Sequence, residues 1–377
     1  MLKDNINKNN SLVIIHDRNY GIDLLRIIAM LYVVILHCID RGGILNSLEK
    51  YSGKYNCILF IKIFTFCAVN IFALISGYVI YTDEERKIKI SNYFKIWLQV
   101  VYYGILVTFI FHVFRVTQIS VMDYIYVLFP VTNDIYWYFT AYSGMYLFIP
   151  FINKLVRNCN ERQAKKLFVI IILIFSIYSM IFNGFFLNFG YSLLWIMLVY
   201  ILGAIVKKCR IGEKLKTRKA IILIIAGCVI TYLYCIYGFE ADIMNIKITR
   251  NMFFSYTSPT ILGISILYLI IFKKINFKSI TKKIVKFAAP SSFAIYIINN
   301  HLLVWNHIMN DLFVKISNKD SIKIITTILI FSIVFVMVVL LIDQIRIFIF
   351  KVLYLDKKLQ KFSNFLEGKV NKLANMI

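Results

Sequence analysis

The stretch Gly21-Ile-Asp23-Leu-Leu-Arg26-Ile-Ile-Ala-Met-Leu-Tyr-Val-Val-Ile-Leu-His37-Cys-Ile39 decides the fold class of this 377-residue chain. A helix rises 1.5 Å per residue, so about 20 apolar residues cover the roughly 30 Å of a bilayer's hydrocarbon core. Comparable runs recur near 57–81, 94–114, 135–152, 167–182, 189–206, 220–237, 253–272, 284–305 and 322–342. The composition agrees, with 60% hydrophobic and 16% charged residues and a mean hydropathy of +0.74. A soluble domain is less apolar than this. The expectation is an all-α polytopic integral membrane protein of about ten transmembrane helices, since long apolar runs satisfy their backbone as helices and not as a barrel. Met122–Thr132 is too short to cross and reads as an interfacial or re-entrant piece. Ser11–Ile15 is followed by His16, Asp17 and Arg18 without a small-residue cleavage site, so no cleavable signal peptide is expected.

The net charge of +24 arises from 43 basic and 19 acidic residues. Its distribution speaks against nucleic acid. Lys207, Lys208, Arg210, Lys214, Lys216, Arg218 and Lys219 crowd one loop, and Lys154, Arg157, Arg162, Lys165 and Lys166 another. Lys273, Lys274, Lys278, Lys282 and Lys283 form a third cluster, and the tail from Arg346 to Lys372 a fourth. With ten spans, all four fall on the side of the amino terminus, whereas Asn183–Asn188 on the opposite side holds no basic residue. This positive-inside pattern places both termini in the cytoplasm. Attraction to anionic lipid, about 1 kcal/mol per basic residue near the surface, accounts for the rest of the excess. An anionic cytoplasmic ligand is the alternative. The seven cysteines show no metal-ligand spacing, so neither a disulfide framework nor a metal site is expected. No linker or visible repeat divides the chain. It reads as a cytoplasmic segment 1–20, one membrane domain 21–345 and a basic cytoplasmic tail 346–377.

Ionisable residues inside a span cost about 2.5–3.5 kcal/mol each on insertion scales, so each needs a reason. Asp23 and Arg26 lie three apart and can pair along the helix. Arg26 and His37 lie eleven apart, which at 100° per residue returns them to within about 20° around the axis, about 16 Å apart along it. They therefore occupy one stripe at two depths, with Arg26 nearer the cytoplasm. The structural alternatives are that Arg26 snorkels or neutralises Asp23, and that His37 is a packing residue.

The run from Arg18 to Arg26, followed by His37, resembles the opening helix of the acyltransferase-3 family, bacterial membrane proteins that O-acylate surface glycans. Three further stretches extend the resemblance. Asn70-Ile-Phe-Ala-Leu-Ile-Ser76-Gly77-Tyr78 is similar to the family's second-span signature, and Arg86, Lys87, Lys89 and Lys95 supply the basic residues that follow it. Tyr136-Trp137-Tyr138 through Pro150 is similar to a Trp-Tyr segment, and Ser291-Ser292-Phe293-Ala-Ile-Tyr296-Ile-Ile-Asn299-Asn300-His301 to a late Tyr-Leu-Ile-His segment. In the last, Asn299 stands where a His is common and His301 follows two residues later. The similarity spans about 18–345 and matches the membrane-only branch, without an appended soluble hydrolase-like domain.

The resemblance implies a bacterial cytoplasmic-membrane enzyme that transfers an acyl group, most often acetyl, from cytoplasmic acyl-CoA to a glycan hydroxyl. It also implies that Arg26 and His37 are essential. His37 suits a base for a weak alcohol nucleophile, or a transient acyl carrier, because its unperturbed pKa lies near neutrality. The fork of donors on Arg26, oriented by Asp23, suits the donor's phosphate or carbonyl oxygens. Lys89 and Lys95 are candidates for the coenzyme's phosphates. Asn70, Ser76, Tyr78, Trp137, Tyr138, Tyr296, Asn299 and His301 are candidates for the acceptor's site. For the polar residues among these, helix packing is the competing role, and for Trp137 and Tyr138 an interfacial aromatic belt. The partners expected are the lipid bilayer and a surface glycan or lipid-linked glycan, with a homo-oligomer left open. A transporter of glycan or a small anion is the rival function, since a polar stripe through a bundle serves it equally well.

Overall fold

The computed structural model describes residues 18–85, 89–182, 184–243 and 246–374. Arg86 and Lys87 of the second-span signature, and the amino-terminal segment before Arg18, lie outside these residues. The first helix, α1 (Tyr20–Asp40), starts where Asn19 turns its side-chain oxygen to the Ile22 backbone N–H at 3.1 Å. The same Asn19 donates its amide to the Lys273 carbonyl at 2.9 Å. A Cβ on Gly21 would stand 1.9 Å from the Phe272 carbonyl oxygen, so glycine lets α1 begin directly against the end of a later helix. The Asn-Tyr-Gly of the opening motif is thereby accounted for as a cap, a ring and a close approach.

After α1 come α2 (Gly53–Thr65) and α3 (Ala68–Ile80), which together form the second span, then α4 (Ile90–Val113) and the short α5 (Val121–Leu128). There follow α6 (Trp137–Asn158), and α7 (Glu161–Ile170), which continues through a π-helical stretch Ile171–Tyr178 into α8 (Ser179–Phe182). Next are α9 (Leu193–Lys208), α10 (Thr217–Tyr237) and α11 (Pro259–Phe272). The chain ends with α12 (Ser279–Ala288), α13 (Ser292–Asn299), α14 (Leu302–Val304), α15 (Ser321–Val352) and α16 (Leu355–Ala374).

Every run read as a span falls on helix, and the protein is an all-α polytopic membrane fold. Among the described residues, six spans are long and apolar enough to cross a bilayer, and a bent pair on either side of Asn300, with an angle of 56°, makes a seventh. The remaining three runs are α6, which is rich in tyrosine, and the shorter α9 and α11 of 16 and 14 residues. Met122–Thr132 forms α5, whose one buried side chain, Val127, rests against Gly104 of α4. Among the described residues the only strands are a hairpin, Ala241–Ile243 paired antiparallel with Ile246–Ile248.

The core is built around α1. Leu25, Ala29, Val34 and Cys38 are fully buried, and α1 touches α2, α3, α11, α12, α13 and α15. Outer helices show the reverse pattern: α15 exposes Ile330, Val334, Met337, Val338 and Leu341, as a surface facing hydrocarbon does. The helix α15 runs on through position 346 to Val352, and α16 folds back along α4 through Phe94–Phe362, Ser91–Gln360 and Lys95–Asp356 contacts.

The basic loops meet at one end of the bundle. Lys207 donates to the Tyr81 carbonyl, Lys208 to those of Val156 and Arg157, Lys273 to that of Ile211, and Lys274 to those of Glu213 and Leu215, at 2.6–3.0 Å. Most of these carbonyls lie at or just past helix C-termini, where partial negative charge is unsatisfied. These ammonium groups thus fasten helix ends as well as setting charge.

The closest helix crossing is that of α3 with α9. A Cβ on Gly77 would stand 1.9 Å from the Tyr200 carbonyl oxygen, and one on Gly203 2.2 Å from that of Leu74. Small residues are what allow helices in a membrane to approach this closely. Gly77→Val or Gly203→Val should force the pair apart, costing about 1–3 kcal/mol or more and lowering the thermal midpoint in detergent. Gly263→Ala, where nothing lies within 4 Å of the new Cβ, should leave the midpoint unchanged or raise it.

Candidate active site

Two cavities adjoin along α1. The first, about 290 Å³, is bordered by Arg26 of α1, Phe72 and Ser76 of α3, Gln99 of α4, Tyr138 and Tyr142 of α6, and Ser292 and Phe293 of α13. The second, about 40 Å³, is bordered by Met30, Val33 and His37 of α1, Phe72 again, Trp137 and Tyr138 of α6, Tyr256, and Tyr296 and Asn300. Phe72 and Tyr138 belong to both and form the partition, their ring centroids 6.3 Å apart and nearly perpendicular. The helical phase that joined Arg26 to His37 in the sequence therefore corresponds to two chambers on one face of α1, separated by two rings.

Arg26 is held loosely. Its nearest carboxylate oxygen is Asp23 Oδ1 at 3.6 Å, beyond hydrogen-bond reach. The other oxygen of Asp23 receives Arg18 Nε at 2.5 Å. Asp23 thus shares its one charge between two arginines without occupying the donors of Arg26. Among the described residues no side-chain or backbone acceptor bonds the Arg26 guanidinium, which leaves its fork available to a ligand in the larger chamber.

His37 is held firmly. Its Nδ1 hydrogen-bonds Asn299 Oδ1, and Asn299 is fully buried. A carbonyl oxygen only accepts, so Nδ1 carries a proton, and in the neutral ring Nε2 keeps its lone pair. The Trp305 ring packs edge-on against the imidazole, with centroids 4.8 Å apart at 88°. A neutral imidazole of fixed tautomer, bordering a cavity, is prepared to take a proton. Asn299 supplies this orienting contact.

The other residues singled out in the sequence divide into three groups. Ser76, Trp137, Tyr138 and Tyr296 border the chambers. Asn70 and His301 are buried behind them: Asn70 accepts from Trp195 Nε1 at 2.9 Å and donates to the Tyr256 carbonyl at 2.8 Å. His301 caps α14 by accepting from the Leu303 N–H, and its Nε2 bonds the Gly104 carbonyl. Both ring nitrogens of His301 are therefore committed to backbone. Tyr78, Lys89 and Lys95 lie towards the basic end: Lys207 sits 5.8 Å from the Tyr78 ring centroid, Lys89 precedes α4, and Lys95 pairs with Asp356 at 2.9 Å.

Sequence reasoning passed over a buried polar cluster on α15. Asp343 is fully buried and takes both Arg346 Nε and Nη2, at 2.6 and 2.8 Å, along with the Tyr103 hydroxyl at 2.8 Å. Gln99, which borders the Arg26 chamber, donates to the same carboxylate at 3.4 Å. The i, i+3 spacing of Asp343 and Arg346 was the available signal, obscured because the apolar run ends just before it. Trp305 and Tyr256 were likewise indistinguishable from ordinary core aromatics. Among the described residues, no three His, Cys, Asp or Glu side chains converge as a metal site would require.

Four buried hydroxyls near the partition lack a partner among the described residues: those of Tyr136, Tyr138, Thr140 and Tyr296. An unsatisfied buried donor costs about 1–3 kcal/mol, and a group of them in one place marks a site where a polar ligand or water belongs.

Fold and site together define a polytopic membrane protein with an open guanidinium and an oriented imidazole in neighbouring buried chambers. The acyltransferase domain model of the acyltransferase-3 family matches residues 19–344, and the chain belongs to that family. It is a membrane acyltransferase. No curated protein and no solved structure matches the chain.

If Asn299 sets the tautomer of His37, Asn299→Leu should lower acyl-transfer turnover about a hundredfold while the protein still folds, and Asn299→Asp, which keeps an accepting oxygen, should restore most of it. Turnover of acyl-CoA by the purified variants, with thermal midpoints as the control for folding, measures both.

Proposed function

We propose that this enzyme transfers an acyl group, acetyl in the first instance, from cytoplasmic acyl-CoA to a hydroxyl of a cell-surface glycan or its lipid-linked precursor, in a bacterial cytoplasmic membrane. The observation that carries the proposal is the adjacency of the Arg26 and His37 chambers across Phe72 and Tyr138. An acyl transfer between two compartments needs a donor site, an acceptor site and a short passage between them. The orientation follows the charge: the basic loops gather at the end of α1 nearer Arg26, so the positive-inside rule puts Arg26 towards the cytoplasm and His37 towards the outer face.

In this reading the coenzyme lies at the basic end, with Lys89 and Lys95 near its phosphates, and its pantetheine arm enters the larger chamber beside Arg26. Lys95 leaves Asp356 to do so or shares its charge. The arm spans the depth from Arg26 to His37 and brings the thioester to the partition. The acceptor enters from the other end, and Nε2 of His37 takes the hydroxyl proton as the oxygen attacks the acyl carbon. Trp137 and Tyr256, ring centroids 6.2 Å apart and nearly parallel, offer an apolar face to a sugar ring.

His37→Ala should abolish release of the CoA thiol from acetyl-CoA in reconstituted vesicles. Arg26→Lys, which keeps the charge and loses the fork, should raise the KM for acetyl-CoA about tenfold or more with a smaller change in kcat. Wild-type vesicles that move glycan yet never cleave acetyl-CoA would identify a transporter instead.

A further inference from the structure

The structure points to the hydroxyls of Tyr138 and Tyr296 as the two donors that hold the carbonyl oxygen of the acyl group as it becomes an oxyanion. This inference rests on the acyl-transfer reading above and assigns these side chains a task that neither sugar stacking nor packing supplies.

Three observations converge on it. Tyr138 borders both chambers, and Tyr296 borders that of His37. Their ring centroids are 6.1 Å apart at 73°, so α6 and α13 set the two phenols side by side at the same chamber. Both residues are more than nine-tenths buried, and neither hydroxyl has a partner among the described residues. Two other polar groups at the His37 chamber are already engaged: Asn300 donates to the Tyr296 carbonyl at 3.0 Å, and Nδ1 of His37 is bound to Asn299. Phe72 and Val33 supply apolar wall. A negative charge that forms here would lie against apolar side chains, and preorganised donors stabilise it strongly under those conditions.

The step balances. The acceptor oxygen forms a bond to the thioester carbon as its proton passes to Nε2 of His37. The carbonyl electron pair moves onto oxygen, which the two phenolic O–H groups hold by hydrogen bonds. The pair then returns, the C–S bond breaks, and the thiolate takes the proton from the imidazolium. The tyrosines donate hydrogen bonds throughout and exchange no atom with the substrate.

The test uses the full chain in vesicles with labelled acetyl-CoA, water standing in as acceptor. Tyr138→Phe and Tyr296→Phe should each lower kcat about 10²- to 10³-fold, with KM and the affinity for a non-cleavable thioether analogue of acetyl-CoA unchanged within twofold. Replacing either tyrosine by 3,5-difluorotyrosine keeps shape and hydrogen bond but makes the phenol more acidic. Activity should be retained at low pH and lost as the fluorinated phenol ionises, below the pH at which wild type declines. Phe variants with wild-type kcat, Phe variants that lose analogue affinity as much as turnover, or a fluorinated enzyme with the wild-type pH profile would each overturn the inference. His37→Ala, run in parallel, separates the two readings: if it still cleaves acetyl-CoA, or if wild type never does, the acyl-transfer reading fails and this one with it. A dead His37→Ala beside fully active Phe variants sinks only the role of the tyrosines.

Discussion

A membrane helix that carries Asp23, Arg26 and His37 cannot face hydrocarbon on that side, and the rest of the bundle is arranged around that constraint. The helix α1 is enclosed by α2, α3, α11, α12, α13 and α15. Its apolar residues Leu25, Ala29, Val34 and Cys38 are sealed against neighbours, while the stripe bearing Arg26 and His37 faces two cavities. The cost of polar groups in a span is thus met by a protein-lined interior. The contrast between the two is instructive. Arg26 stands near a carboxylate that binds Arg18 and is slightly too far away to bind it, and His37 is locked by an amide. A group meant to grip a ligand keeps its donors open, and a group meant to move a proton has its tautomer fixed.

The partition between the chambers depends on the packing of α3. Phe72 is one turn before Ser76 and Gly77, and Gly77 lies against the Tyr200 carbonyl of α9. The glycine of the Ser-Gly-Tyr signature therefore acts through position: it lets α3 sink into α9, and that depth sets where Phe72 meets Tyr138. A conserved-looking chemical motif is here partly a motif of distance. Asn70 contributes similarly, tying α3 to Trp195 and to the Tyr256 backbone, so that one wall of the His37 chamber is anchored from behind.

Much of this was legible in the sequence, because hydropathy and helical phase report directly on burial in lipid. The runs gave the helices, and eleven-residue spacing placed Arg26 and His37 on one face. Legibility declined where a contact joins residues distant in the chain. Asn299 meets His37 across 262 positions, and nothing local distinguishes an asparagine that orients a base from one that packs. His301 illustrates the converse: a histidine in a motif attracted attention by its type, while its two nitrogens serve the backbone. That α9 and α11 are shorter than the spans expected over them, and that the chain breaks at Asn300, was beyond a hydropathy reading, which registers apolar length but not the bends that let short segments pack inside a bundle.

The lysines at the basic end tie together parts of the chain that leave the ribosome at different times. Lys207 reaches back 126 positions to Tyr81, and Lys273 and Lys274 reach back about 60 to the loop after α9. Asn19 waits for Lys273, 254 positions later, before its second hydrogen bond can form. Insertion can orient each span as it emerges, and the Lys207 fastening can close once α9 is in place, but those of Lys273, Lys274 and Asn19 close only after α11 has arrived. The arrangement therefore has the form of a delayed latch: the basic end of the bundle can be fully fastened only when its eighth apolar run is in place.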